Sequence, residues 1–170
     1  MDLTKIIGDY PLFISALLSS LDKAGIRYDG YQIDHLCYRT ETNEGYEMMK
    51  DILKSVSSGF LENSHNGRLI SKFFLKEPLS VRGYKIPIIE LPSPKLSHFY
   101  EAGLEHFEMA VGEGFPEFTE KYRNLWTGAE EGGTHNKVVS ITFDNLKTVK
   151  FHKLPLAEVI KLEGNQFKAC

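Results

Sequence analysis

Two stretches of the chain, IDHLCYRT from Ile33 and LEHFEMAV from Leu104, set an acidic residue before a histidine and then alternate side chains as a strand does. Two later stretches close alike, Ile-Ile-Glu90-Leu-Pro and Phe-His152-Lys-Leu-Pro. His35 and His106 stand 71 positions apart; Glu90 follows the first by 55 and His152 the second by 46. Imidazoles and a carboxylate presented from rigid strands are a ligand set for a divalent metal ion. Side chains at i and i+2 share a strand face. His35, Cys37 and Arg39 therefore share one face, and His106, Glu108 and Ala110 share the equivalent face. Glu90 and His152 are expected at equivalent ends of equivalent strands. If the halves pack about a pseudo-twofold axis, His35, Glu90, His106 and His152 converge, with His152 completing or crowding the sphere. Each histidine taken alone has a plainer explanation, a partly buried ring bonded to a neighbouring carboxylate; the repetition favours the metal set. Glu108 is a support for His106, a general base or a rim charge. Arg39 either orients an anionic substrate or pairs with a carboxylate.

The elements that must position these residues repeat as well. Asp9-Tyr10-Pro11 starts a helix, with Leu12, Phe13, Ala16, Leu17, Leu18 and Leu21 at helical spacing and Gly25 as its stop. IDHLCYRT is a strand, GYEMMKDILKSV a helix, GFLENSHNGRLISKFFL a hairpin turning at Asn66-Gly67, and YKIPIIELP a strand. The second half restarts at LEHFEMAV, continues with the helix FPEFTEKYRNLW, and reaches the strands VVSITF and KTVKFHKLP through GAEEGGTHN, which reads as a loop. Asp144-Asn145 marks a turn, and LAEVIKLEG is a short helix or tail. The expected fold is α+β: two βαβββ-like repeats forming a cupped mixed sheet around a metal cleft, within one domain. Residues 1–30 are an N-terminal helical extension, 31–94 the first half and 103–160 the second, with one strand short or irregular.

Several residues carry less. Glu62 and Arg68 flank the hairpin turn and are placed to pair across strands. His65, at the turn, reads as solvated. His98 and His135 fall in loops and Cys37 is a buried filler. The glycines of GAEEGGTHN make no phosphate loop, since no Lys-Ser/Thr follows them. A net charge of −3 argues against nucleic acid or an anionic membrane as partner, since both need a basic face. Two cysteines, one at position 170, make no disulfide framework and point to a reducing, cytoplasmic setting. The N-terminus reads as neither leader nor membrane span. The expected partner is a small-molecule substrate, in a monomer or homodimer.

The paired βαβββ pattern, with ligands on the first and last strand of each half, resembles the vicinal oxygen chelate superfamily of glyoxalase- and dioxygenase-like proteins. More narrowly, Asp34-His35 with Arg39, ENSHNGR from Glu62, LKEP from Leu75, IELPSP from Ile89, GLEHFE from Gly103 and VKFH from Val149 resemble the bacterial YecM family. The resemblance implies a cupped sheet around a divalent metal, Fe, Zn, Ni or Mn. It implies chemistry on a small oxygen-rich substrate through a metal-stabilised enolate or oxyanion, as isomerase, lyase or dioxygenase. His35, Glu90, His106 and His152 would be ligands, Glu108 the proton shuttle and Arg39 the substrate-orienting residue. Glyoxalase-type sites carry a glutamate at the end of the last strand, where this chain has His152. The alternative is a non-catalytic protein that holds metal or a small ligand on the same fold.

Overall fold

The computed structural model describes residues 2–65, 67–95, 99, 101–132, 135–143 and 146–170. Asn66 of the expected hairpin turn, His98, and the Asp144-Asn145 turn lie outside the described residues. The elements are α1 (Thr4–Ile7), α2 (Tyr10–Lys23), β1 (Gln32–Arg39), α3 (Asn43–Ser55), β2 (Ser57–His65), β3 (Arg68–Val81) and β4 (Tyr84–Pro92). After them come β5 (Gly103–Ala110), α4 (Phe115–Lys121), β6 (Gly128–Gly132), β7 (Asn136–Thr142), β8 (Thr148–His152), α5 (Leu156–Leu162) and β9 (Lys168–Ala169).

The nine strands among the described residues form one mixed sheet in the order β6-β7-β8-β5-β1-β4-β3-β2-β9. Each half is a βαβββ unit whose first and last strands run parallel, β1 beside β4 and β5 beside β8. The units join through the antiparallel β1–β5 pair at the centre. GAEEG, expected as loop, is instead the strand β6, paired antiparallel to β7 from Gly128 opposite Ser140 to Gly132 opposite Asn136. The second hairpin is therefore shortened but present.

Local chemistry starts and stops these elements. The Asp9 carboxylate caps α2 by accepting from the Leu12 amide at 2.9 Å. The stripe that α2 buries is Ile14, Leu17, Leu18 and Leu21; Leu12, expected on that stripe, is 66% exposed. The Thr42 hydroxyl caps α3 through the Gly45 amide, and α3 buries Tyr46, Met49 and Leu53. Arg82 and Gly83, both at positive φ (48° and 87°), turn β3 into β4, the twist that a two-residue hairpin needs. Helices α1–α4 cover one face of the sheet. There Leu36, Phe73, Ile89, Phe107 and Phe151 join the residues of α2, α3 and α4 in one core. Among the described residues no helix is long and apolar enough to cross a membrane.

The other face is cupped around a cleft of about 630 Å³. After β8 the chain crosses this cleft: α5 contributes Leu156, Val159 and Ile160 to its lining, and β9 then pairs with β2 at the opposite edge of the sheet. Phe167 seats against Phe74, in a notch that exists because residue 59 has no side chain. A Cβ on Gly59 would lie 2.9 Å from the Cβ of Phe167. Gly59→Ala is expected to release the C-terminal segment at a cost of about 1–3 kcal/mol. Hydrogen exchange should then show lost protection at residues 165–169 with the central strands unchanged.

Beneath α3, Glu62 accepts from the Tyr46 hydroxyl at 2.6 Å, Ser71 Oγ at 2.9 Å and Lys50 Nζ at 3.1 Å. It does not pair with Arg68 as expected; its register partner is Ser71, and Arg68 lies opposite His65. Burial opposes ionisation of Glu62, but its three donors outweigh it and hold the carboxyl below its ordinary pKa. A depressed carboxylate contributes stability above its unfolded pKa and loses it as pH falls through the folded value. Glu62→Gln should therefore cost about 1 kcal/mol near neutrality. The difference from wild type should vanish in acid, as read by urea denaturation across pH.

Candidate functional site

The two histidines that open the repeats are aimed by the same irregularity. In the β1–β5 ladder Ile33 lies opposite Met109 and His35 opposite Glu108, so Asp34 is an extra residue on β1. Cys37 lies opposite His106 and Tyr38 opposite Leu104, so Glu105 is an extra residue on β5. Such a bulge breaks alternation and re-aims a side chain. It lets each acid reach the imidazole that follows it. His35 Nδ1 lies 2.9 Å from Asp34 Oδ2, and His106 Nδ1 3.0 Å from Glu105 Oε2. It also keeps Ile33 and Leu104 in the core, although each stands two positions before a histidine that faces the cleft.

His152 is held differently and to the same effect. Its Nδ1 donates to the Leu154 carbonyl at 2.7 Å, and Asn136 fixes Leu154 by bonding both its carbonyl and its amide at 2.9 Å. An imidazole whose Nδ1 hydrogen is donated presents an Nε2 lone pair. All three rings thus turn Nε2 toward the cleft floor, where that of His106 meets Glu108. They are buried there, His35 3% and the other two 2% exposed.

Glu108 stands among them. Its Oε1 lies 3.1 Å from His106 Nε2 and 3.5 Å from both His35 Nε2 and Lys150 Nζ; its Oε2 lies 3.6 Å from His152 Nε2. Burial would favour its neutral form, yet His35, Lys150 and His106 hold Glu108 well below the usual carboxylate range. Burial likewise presses His35 toward neutrality, and Glu108 and Asp34 overcome it, lifting its pKa to about 10.

Donor atoms of His35, Glu90 and His106 lie within 4.8 Å of one another. A second set, Asp34, His35 and His152, meets the same limit and shares His35 with the first. The expected equivalence of Glu90 and His152 is corrected by the register. Glu90 lies opposite Cys37, two positions beyond His35; the residue opposite Glu108, two beyond His106, is Lys150. His152 lies opposite Ala110, two positions further. The halves therefore trade places for their carboxylate, which comes from the last strand in the first half and the first strand in the second.

Donor chemistry fits a divalent ion. The Nε2 atoms of His35 and His152 are buried and make no hydrogen bond. A buried nitrogen without a partner carries a desolvation penalty that coordination would remove. Arg39 gives its Nε to Glu105 Oε2 at 2.6 Å and so steadies the acid that orients His106. Cys37 is buried, with its Sγ 3.6 Å from the same oxygen. His135 is exposed in the β6–β7 turn, and His65 is exposed at the cleft rim. The neighbouring carboxylates of the plainer reading are Asp34 for His35 and Glu105 for His106; Lys72 and Lys150, cations lining the cleft, went unassigned in the sequence. Burial presses Lys72 below an ordinary lysine pKa, against the pull of Glu90 and Glu163.

Comparison with known proteins agrees with this architecture. The chain is 29% identical to Protein YecM of Escherichia coli K12 over 95% of this chain and 94% of that one. It is 27% identical to an uncharacterized protein of Haemophilus influenzae, over 65% of this chain and 58% of that one. A solved structural-genomics structure, Protein EC4020, superposes with a TM-score of 0.78 at 27% identity, over 95% of this chain and 92% of its own. The crystal structure of hypothetical protein BH1468 from Bacillus halodurans shares the fold, at a TM-score of 0.51 and 13% identity over 74% of this chain and 96% of its own. The sequence matches the family described as YecM protein over residues 2–138, and the chain belongs to that family.

Proposed function

We propose that this protein is a divalent-metal-dependent enzyme of the vicinal oxygen chelate type, acting on a small oxygen-rich substrate. The observation that carries the reading is the convergence of three buried imidazoles, each secured through Nδ1, with two Nε2 atoms lacking any hydrogen bond. His35, Glu90 and His106 would hold the ion and His152 would join them. A bound ion of this class supplies Lewis-acid stabilisation of negative charge on a substrate oxygen. The chain's own residues do the rest. Asp34, Glu105 and Leu154 keep the imidazoles in the tautomer that binds. Glu108 is the proposed proton acceptor at Oε2, the oxygen turned toward His152, because its Oε1 already faces His106, His35 and Lys150. α5 and the apolar side chains of Val159 and Ile160 limit water over the floor.

The number of nearby donors favours one other reading. His152 beside His35, Glu90 and His106 would give four protein donors, enough to fill a tetrahedral ion, which suits sequestration without turnover. Water coordinated to a bound Mn(II) probe, seen by magnetic resonance, distinguishes an open site from a saturated one.

Metal analysis of the purified protein tests the site. His35→Ala and His106→Ala are each expected to lower bound metal at least about tenfold. Unchanged metal content in both would remove the proposal. Asp34→Ala keeps every ligand but loses the contact to His35 and also the bond from the Leu156 amide to Asp34 Oδ2, at 2.9 Å. Metal affinity should fall by about 10–100-fold, and amide exchange across residues 156–162 should accelerate with it.

A further inference from the structure

Toward the β2–β3 side the cleft carries a cation that the metal reading does not use. Lys72 on β3 is 7% exposed and lies directly opposite Glu90 in the β3–β4 register. Its ammonium donates to a neutral acceptor, Asn63 Oδ1, at 2.7 Å, while Glu90 and Glu163 act on it through space. A buried ammonium is costly unless an opposite charge meets it. If Glu90 spends its charge on a metal ion, Lys72 and that ion face one another as like charges, and an anion lodged between them would relieve both. Arg68, half-buried where β3 begins, lines the same cleft and reaches the Ser93 carbonyl at a weak 3.5 Å. That contact uses one of the five donors a guanidinium carries. Arg39, the cation first expected to take an anion, is engaged by Glu105.

We propose that the substrate carries an oxyanion group, a carboxylate or a phosphate, at the end opposite its metal-binding oxygens, and that Lys72 and Arg68 bind this group. The metal-enzyme reading is the basis for the other end of the substrate. Lys72 supplies a fixed point charge on the floor, and Arg68 adds the planar, two-pronged contact suited to either group. The pair acts as a gauge: a substrate lacking the second anion leaves Lys72 buried and unanswered.

Calorimetric titration of the metal-loaded protein with lactate, malate and 3-phosphoglycerate tests this. All three offer a hydroxyl beside a carboxylate; only the last two add a distal carboxylate or phosphate. Malate or 3-phosphoglycerate is expected to bind at least about tenfold more tightly than lactate, and the better of the two identifies the group. In Lys72→Met that advantage should shrink to about twofold with metal content unchanged. Arg68→Gln, at the rim, should reduce it in part and serves if the buried variant does not fold. Lactate binding as tightly as both would overturn the proposal while leaving the metal reading intact, as would an advantage that survives both substitutions. Inorganic phosphate titrated into chelator-treated protein separates the two readings from the other side. Binding that depends on Lys72 supports the anion site even if metal analysis finds no ion.

Discussion

Asp34 and Glu105 each occupy a surplus position in the central ladder, and on those two positions the geometry of the cleft rests. In a regular strand an acid and the histidine after it point to opposite faces and cannot bond. The surplus residue bends the backbone enough to bring both to the same side. The acid then takes the Nδ1 hydrogen, the ring is fixed, and its other nitrogen faces the cleft. This happens twice, at the same point of each half, on the strands that join the halves.

Beyond that common frame the halves place their charged side chains on different strands. The first offers Glu90 on its last strand beside Cys37; the second offers Glu108 on its first strand beside Lys150. Each wing pairs one carboxylate with one lysine, Glu90 with Lys72 and Glu108 with Lys150, but the pairs come from different strands. A symmetric pair of halves would bind a substrate equally well in two orientations. Unequal wings define one.

Much of this was legible in the sequence, for particular reasons. Asp9 and Pro11 announce α2, and alternation in IDHLCYRT and LEHFEMAV separates a core face from a cleft face. The bulges were legible in principle. Ile33 and Leu36 in one half, and Leu104 and Phe107 in the other, are core residues spaced by three where a strand demands two. Strand β6 was not legible, because GAEEG has no β-branched or aromatic residue and is held at the sheet edge by backbone bonds to β7. The Leu-Pro closings misled the match of Glu90 to His152, since Lys153 sits between His152 and the second Leu-Pro and the true register is set by hydrogen bonds. Lysines such as Lys72 look like solvent-facing positions until the curvature of the sheet is known.

The strand order also bears on how the chain assembles as it is made. The strand partners of β3 and β4, and one neighbour each of β1 and β2, lie before residue 93, so the first half can pair strands among itself early. The second edge of β1 must wait for β5, which ends at Ala110. Until then β1 presents unpaired backbone to any passing strand, the usual route to misassociation during synthesis. An acidic side chain on such an edge disfavours pairing with another strand, and in β1 that side chain is Asp34.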